Sequence, residues 1–148
     1  MPIAQINVGR FRLPKDDPAN ADFMGALDAV NALAERADGF IWRLIGEGNN
    51  AIDLVPIEGD PDFAINMSVW RDLAALEAFA YRQPDHRAML ARRKEWFVPI
   101  EPVLALWPVA EGDVPSVAEG MAKLDELRDH GPSAAVFTFR WHRENRLT

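Results

Sequence analysis

Few residues of this chain are able to do chemistry. Its imidazoles are His86, His130 and His142, and there is no cysteine among 148 residues. Without a thiol, disulfides, thiolate nucleophiles and cysteine-ligated metals are excluded. No two histidines stand at a metal-ligand spacing, and HExxH is absent, so no metal site built from protein ligands alone is expected. Glycine-rich phosphate loops, nucleophile elbows and paired catalytic carboxylates are also missing. The GEGNN segment at residues 46–50 precedes no helix and reads as a turn.

His86 is the strongest single candidate. It follows Pro84 and Asp85, so it falls in the first turn of a helix restarted at the proline, with Asp85 as its cap. The positive end of that helix favours a neutral imidazole. Such a group can act as a general base or as an axial haem ligand. The plainer alternative is a structural histidine bonded to a backbone carbonyl. At helical spacing His86, Leu90, Arg93 and Phe97 share a face.

Arg82, Arg87, Arg92, Arg93 and Lys94 crowd the same stretch, offset only by Asp85 and Glu95. Arg93, on the face of His86, is the candidate for holding an anionic group. The competing reading is a solvated helix face, or pairing with the acidic loop of residues 47–62. Trp42 and Tyr81 are expected to contact a flat apolar ligand. Trp96 and Trp107 read as core or dimer-interface residues, and Trp141 as packing an edge or a partner subunit.

The elements that must position these groups follow from periodicity. Residues 3–12 alternate, with Ile3, Gln5, Asn7 and Gly9 on one face of a first strand. Asp17-Pro18 and Asn20 start a helix that runs to about Asp38, with Phe23, Leu27, Val30 and Ala34 as its stripe and Gly39 as its C-terminal cap. FIWRLIG at residues 40–46 is a second strand, apolar on both faces apart from Arg43. A loop follows, in which residues 51–55 return briefly as an extended segment. FAINMSVW at residues 63–70 is a third strand, with Asn66, Ser68 and Trp70 on one face. A helix from about Asp72 ends at Pro84, and a second helix runs from Asp85 to about Phe97. Residues 103–110 form a fourth strand, placed at an edge or end by Pro108. Ser116 to Glu119 is a capping box opening another helix, and Gly131-Pro132 stops it. Residues 135–141 alternate as a fifth strand, and His142 to Thr148 read as a loose polar tail.

This order, β-α-β-β-α-β with an added helix and strand, is an α+β, ferredoxin-like arrangement within one domain of residues 1–148. Its helices cover one face of the sheet. Strands two and four are apolar on both faces, so a second copy stacked on the other face, a homodimer, is expected.

Net charge is −7, the opposite of a nucleic-acid-binding footprint. MPIAQINVGRFRLP lacks the build of a signal peptide, and no apolar run reaches the roughly 18 residues that span a bilayer. A cytoplasmic protein with no membrane or nucleic-acid partner is expected.

The segment FAINMSVWRDLAALEAFAYRQPDHRAMLARRKEWF, followed by LALWPV, the capping-box helix, HGPS and AVFTF, resembles the family called domain of unknown function 3291 over residues 3 to 140. That family is similar to the dimeric α/β-barrel superfamily of antibiotic-biosynthesis-type monooxygenases and haem-degrading enzymes. The resemblance implies a dimeric barrel fold and a small-molecule enzyme of monooxygenase type, acting on an aromatic or oxygenated metabolite. Such enzymes can use the substrate itself to activate oxygen, so no cofactor is required. By that resemblance His86 serves as base, Asn7, Asn66 and Trp70 orient the substrate, and Arg93 holds its anionic group. Asn7, Trp70 and His86 are also similar in order to the residues lining the haem pocket of the haem-degrading relatives. Haem bound through His86 is therefore an alternative, as is a non-catalytic ligand- or haem-binding dimer.

Overall fold

In a computed structural model, residues 1–145 are described. They run β1 (Ile3–Phe11), a short 3-10 turn (Pro18–Asn20), α1 (Ala21–Glu35), β2 (Phe40–Arg43), β3 (Phe63–Trp70), α2 (Leu73–Arg82) and α3 (Pro84–Ala91). Then come α4 (Arg93–Trp96), β4 (Phe97–Val98), β5 (Leu104–Pro108), α5 (Val117–His130) and α6 (Phe139–Asn145). The strands pair antiparallel in the order β2-β3-β1, with β4 and β5 both on the far edge of β1. Two pieces thus share the place of one fourth strand, and Val8 N–H donates to Val103 O between them at 2.9 Å. β1 and β2 are joined by a helical crossover with β3 inserted between them, which is the ferredoxin-like α+β arrangement.

The β1–β3 register sets everything that follows. It runs from Ile3 opposite Trp70 to Arg10 opposite Phe63, and it places Gln5 opposite Ser68 and Asn7 opposite Asn66. Side chains alternate across a strand, so these four share one face. Ala4, Ile6, Val8, Met67, Val69 and Trp107 share the other. α1, α2 and α3 cover the polar face. The apolar face is covered by α5, which buries Leu124 and Leu127 against it. Contact there is close: a Cβ on Gly120 would lie 2.9 Å from Ile6 Cδ1 and from Met67 Cε. The face that was expected to need a partner sheet is therefore covered by the chain itself, by α5 over β1 and β5 and by residues such as Leu44, Leu54 and Ile57 beside it.

Several local expectations are corrected. The helix after Pro84 is capped by Gln83, not Asp85. The Gln83 side-chain oxygen accepts from Asp85 N at 2.7 Å and from His86 N at 2.9 Å, and it has the longer reach. This helix also ends early. It breaks at Arg92, and Phe97 leaves α4 to pair with Phe11 in the sheet. There its ring lies flat over Gly9, where a Cβ would be 2.6 Å from Phe97 Cδ1.

The strand expected at residues 135–141 reduces to two isolated bridges: Val136 pairs locally with Ser133, and Phe137 exchanges two backbone hydrogen bonds of 2.8 Å with Leu106. Thr138 Oγ1 then accepts from Trp141 N at 3.0 Å, and α6 starts. That is the hydrogen bond of a helix N-cap, and it overrides the alternation. Residues 51–55 join no strand: 51–53 form a bend and turn, where the Asp53 carboxylate accepts from Glu47 N at 2.7 Å. β2 closes at Arg43, although Leu44 N–H still donates to Met67 O. The tail expected from His142 lies in α6 as far as Asn145, and its last three residues lie outside the described residues. Among the described residues no helix is long and apolar enough to cross a membrane.

Candidate functional site

A cavity of about 290 Å³ lies between the polar face of the sheet and helices α1, α2 and α3. That is at the lower edge of volumes usual for small-molecule sites. Its floor is one hydrogen-bonded network. Gln5 Nε2 donates to Asn66 Oδ1 at 2.6 Å and to Ser68 Oγ at 2.8 Å, while Asn7 Nδ2 lies 3.5 Å from Gln5 Oε1. Trp70 Nε1 donates to the same Ser68 hydroxyl at 2.9 Å. Neighbouring aromatic rings hold the Trp70 indole in place, with Phe40 edge-on at 5.5 Å and Phe79 at 5.3 Å.

His86 faces this cavity from the first turn of α3. Its Nδ1 is 2.9 Å from Ala80 O, so Nδ1 carries the hydrogen and donates it. Nε2 is left as the acceptor. Burial holds the His86 pKa below the ordinary imidazole value, against a smaller opposing effect of the Ala80 carbonyl. The imidazole is therefore neutral at neutral pH. The backbone-bonded histidine weighed on the sequence is therefore present, and its bond occupies Nδ1 alone.

Arg93 also lines the cavity. Its Nη2 donates to Val8 O at 2.7 Å, and its guanidinium lies 5.1 Å from the centre of the Phe97 ring. Burial lowers its pKa, but a guanidinium remains charged. The rest of the basic cluster behaves differently. Arg92 pairs with Glu95 at 2.9 Å and Asp22 at 3.2 Å on the surface and lies over Trp96. Its acidic partners come from α1 and α4, not from the loop at residues 47–62.

The structure thus brings Asn7, Asn66, Trp70, Tyr81, His86 and Arg93 to one cavity. Tyr81 stands at its rim, 44% exposed and edge-on to Phe139. Trp42 is not among the lining residues. It pairs with Val69 and packs into the apolar core on the opposite face. Trp96 joins Phe11, Phe23 and Phe97 in a core cluster, and Trp107 is buried in the core of the other face. Trp141 lies tilted against Phe137 of its own chain, with ring centres 5.5 Å apart.

Sequence reasoning passed over Gln5, which anchors the floor, and Arg43, which lines the cavity beside Ser68. The signal for both was the period of two: Gln5 shares a face with Asn7, and Arg43 is the one charge in an otherwise apolar strand.

If haem were bound, His86 Nε2 would be the atom to hold its iron, since Nδ1 is tied to a carbonyl. A haem with its propionates nevertheless exceeds a cavity of about 290 Å³. The site as it stands does not fit the group. No cluster of three or more metal-ligating side chains occurs among the described residues.

Among solved structures, the fold is similar to Rv0793 from Mycobacterium tuberculosis. The TM-score is 0.54 at 19% identity, over 76% of this chain and 100% of that one. It is also similar to SnoaB, a cofactor-independent oxygenase from Streptomyces nogalater, with a TM-score of 0.51 at 16% identity, over 78% of this chain and 98% of that one. A conserved protein from Methanosarcina mazei shares the fold with a TM-score of 0.54 at 12% identity, over 74% and 94% of the two chains. At these identities the likeness is one of fold. No curated protein matches the chain in sequence. The family described as domain of unknown function 3291 matches residues 2–147, and the chain belongs to that family.

Proposed function

We propose that the protein is a small-molecule enzyme of monooxygenase type, acting on an aromatic or oxygenated metabolite held in the cavity. The observation that carries this reading is His86: a neutral imidazole, half-buried beside the Phe79 ring, with Nδ1 committed to Ala80 O and Nε2 left as a base. In this reading His86 Nε2 takes a proton from an activated methylene or phenol. The resulting electron-rich anion reacts with dioxygen directly, so no cofactor is required. For a methylene, one molecule of dioxygen converts the carbon to a carbonyl and releases one molecule of water. Both C–H bonds and the O–O bond break, and a C=O bond and the two O–H bonds of water form. One oxygen atom enters the substrate, the other leaves as water, and the substrate supplies all the electrons. Asn7 and Asn66 orient the substrate over the floor, Trp70 and Tyr81 contact its ring, and Arg93 holds its anionic group. SnoaB, a cofactor-independent oxygenase, supports this reading through its fold.

A second reading is a non-catalytic ligand-binding protein. It is favoured by the floor itself, where Gln5, Asn66, Ser68 and Trp70 already satisfy one another. Oxygen uptake separates the two. With anthrone or a hydroxylated naphthalene as probe and no added cofactor, the enzyme consumes oxygen. His86→Ala lowers the rate by about 100-fold or more, the loss expected on removing a general base. Binding of the probe without uptake supports the carrier, and unchanged uptake by His86→Ala removes the base.

Pairing of two copies remains part of the proposal, through the fold the chain resembles. Because α5 occupies the apolar face, such a dimer must bury a surface other than the bare sheet. Sedimentation at micromolar concentration measures it, and a monomer there removes the homodimer.

A further inference from the structure

The cavity carries the opposite charge from the chain. The chain has a net charge of −7, yet no aspartate or glutamate lines the cavity, while Arg43 and Arg93 do. The two arginines differ in what they lack. Among the described residues Arg93 has no carboxylate within ion-pair distance; its one hydrogen bond goes to the carbonyl of Val8. Arg43 has a carboxylate, since its Nε and Nη2 point to Glu35 Oε1 at 3.3 and 3.0 Å, and Nη2 also reaches Asn49. Its Nη1, however, is buried without any partner, on a side chain only 5% exposed. Buried donors are nearly always paired, so an orphan on a cavity wall points to a partner that comes and goes.

Their places on the sheet separate the two groups. Arg43 pairs with Ser68 on β3, and Arg93 is anchored at Val8, which pairs with Ile65. Ser68 and Ile65 are three residues apart, roughly 10 Å at the rise of a strand. A cation without an acid therefore stands towards one end of the polar floor, and an unused pair of N–H donors towards the other.

We propose that the cavity's ligand is an elongated aromatic acid oxygenated at both ends. Its carboxylate pairs with Arg93, and a hydroxyl or carbonyl oxygen at the far end accepts from Arg43 Nη1. This deepens the reading above by naming the substrate class. It shares the cavity with that reading but does not depend on the oxidation.

Three probes dissect it by calorimetry on the wild-type protein. Para-hydroxycinnamate carries both groups, cinnamate lacks the hydroxyl, and para-vinylphenol lacks the acid. Para-hydroxycinnamate is expected to bind at least about tenfold tighter than either of the others, because a site built to pair a polar group rejects the analogue without it. Arg43→Lys keeps a cation beside Glu35 but loses the Nη1 donors. It should reduce para-hydroxycinnamate to the affinity of cinnamate and leave cinnamate unchanged. Arg93→Gln should weaken both acids and leave para-vinylphenol unchanged. The wild-type comparison stands even if a variant does not fold. Para-hydroxycinnamate binding no tighter than cinnamate, or not at all, overturns the proposal. So does an Arg43→Lys variant that weakens both acids alike. Oxygen uptake tests the other reading separately: the binding pattern without uptake leaves this inference standing and removes the oxygenase. Uptake from uncharged probes, without discrimination among the three ligands, does the reverse.

Discussion

The two faces of the sheet are built from the same strands and do opposite things. Met67 and Asn66 are chain neighbours on β3. Met67 is fully buried beneath α5, and Asn66 lines the cavity. Ile6 and Gln5 divide in the same way on β1. The apolar face is closed by direct packing, with Gly120 set where a larger residue would collide with Ile6 and Met67. The opposite face carries amides, a hydroxyl and two guanidiniums, and it keeps a space above them. A period of two thus lets one strand serve as core and as cavity floor at once. The cost of a substitution should therefore depend on whether its position is odd or even more than on where along the strand it falls.

The largest expected effect tests the closed face. Met67→Ala should lower stability by about 2–5 kcal/mol in urea unfolding, the range for emptying a packed core position. A loss well below 1 kcal/mol would mean that α5 does not seat on the sheet as described. Gly120→Leu tests the same contact from the helix side. Overpacking there is expected to cost about 1–3 kcal/mol, and a neutral result would show that α5 can lift away freely.

The open face should respond to pH where the closed face does not. His86 has a folded pKa below its ordinary value of about 6.5. The folded chain therefore holds fewer protons on His86 than the unfolded chain does, and protonation favours unfolding. As pH falls through 6.5 towards the folded value, this group makes stability decline; below the folded value its contribution levels off. Measured against pH, the wild type minus His86→Gln difference should show that decline. A flat difference would place the imidazole in solvent. The smallest effect belongs to Asn66→Ala, expected to cost about 1 kcal/mol or less because Gln5 keeps Ser68 as a partner. Ligand affinity should change instead. A stability loss equal to that of Met67→Ala would erase the distinction between the faces.

The strands were legible in the sequence because alternation survives without tertiary knowledge. β3 has the bounds that FAINMSVW implies, and the Ser116 capping box opens α5 as expected. The lining of the cavity was legible where it followed the same alternation, as for Asn7, Asn66 and Trp70. It was hidden where long-range packing decides. Trp42 went to the core because the pairing Trp42–Val69, after an irregularity beyond Phe40, turns it to the apolar face. Arg43 follows on the cavity side for the same reason. That α5 would seal the sheet depends on where a distant helix lands, which no local pattern states. The C-terminal strand failed although Phe137, Phe139 and Trp141 alternate, because Thr138 caps a helix at Phe139 with one hydrogen bond that no alternation foresees.

The bridge between Leu106 and Phe137 has a consequence for how copies of the chain meet. An open sheet edge is a row of unused backbone donors and acceptors, onto which another chain can add a strand. Here β5 has its middle residue already paired on both sides, with Gln5 within the sheet and Phe137 outside it. The other edge, β2, is four residues long and irregular between Phe40 and Trp42. Neither edge offers a long, regular template, so the fold resists growth into continuous intermolecular sheets.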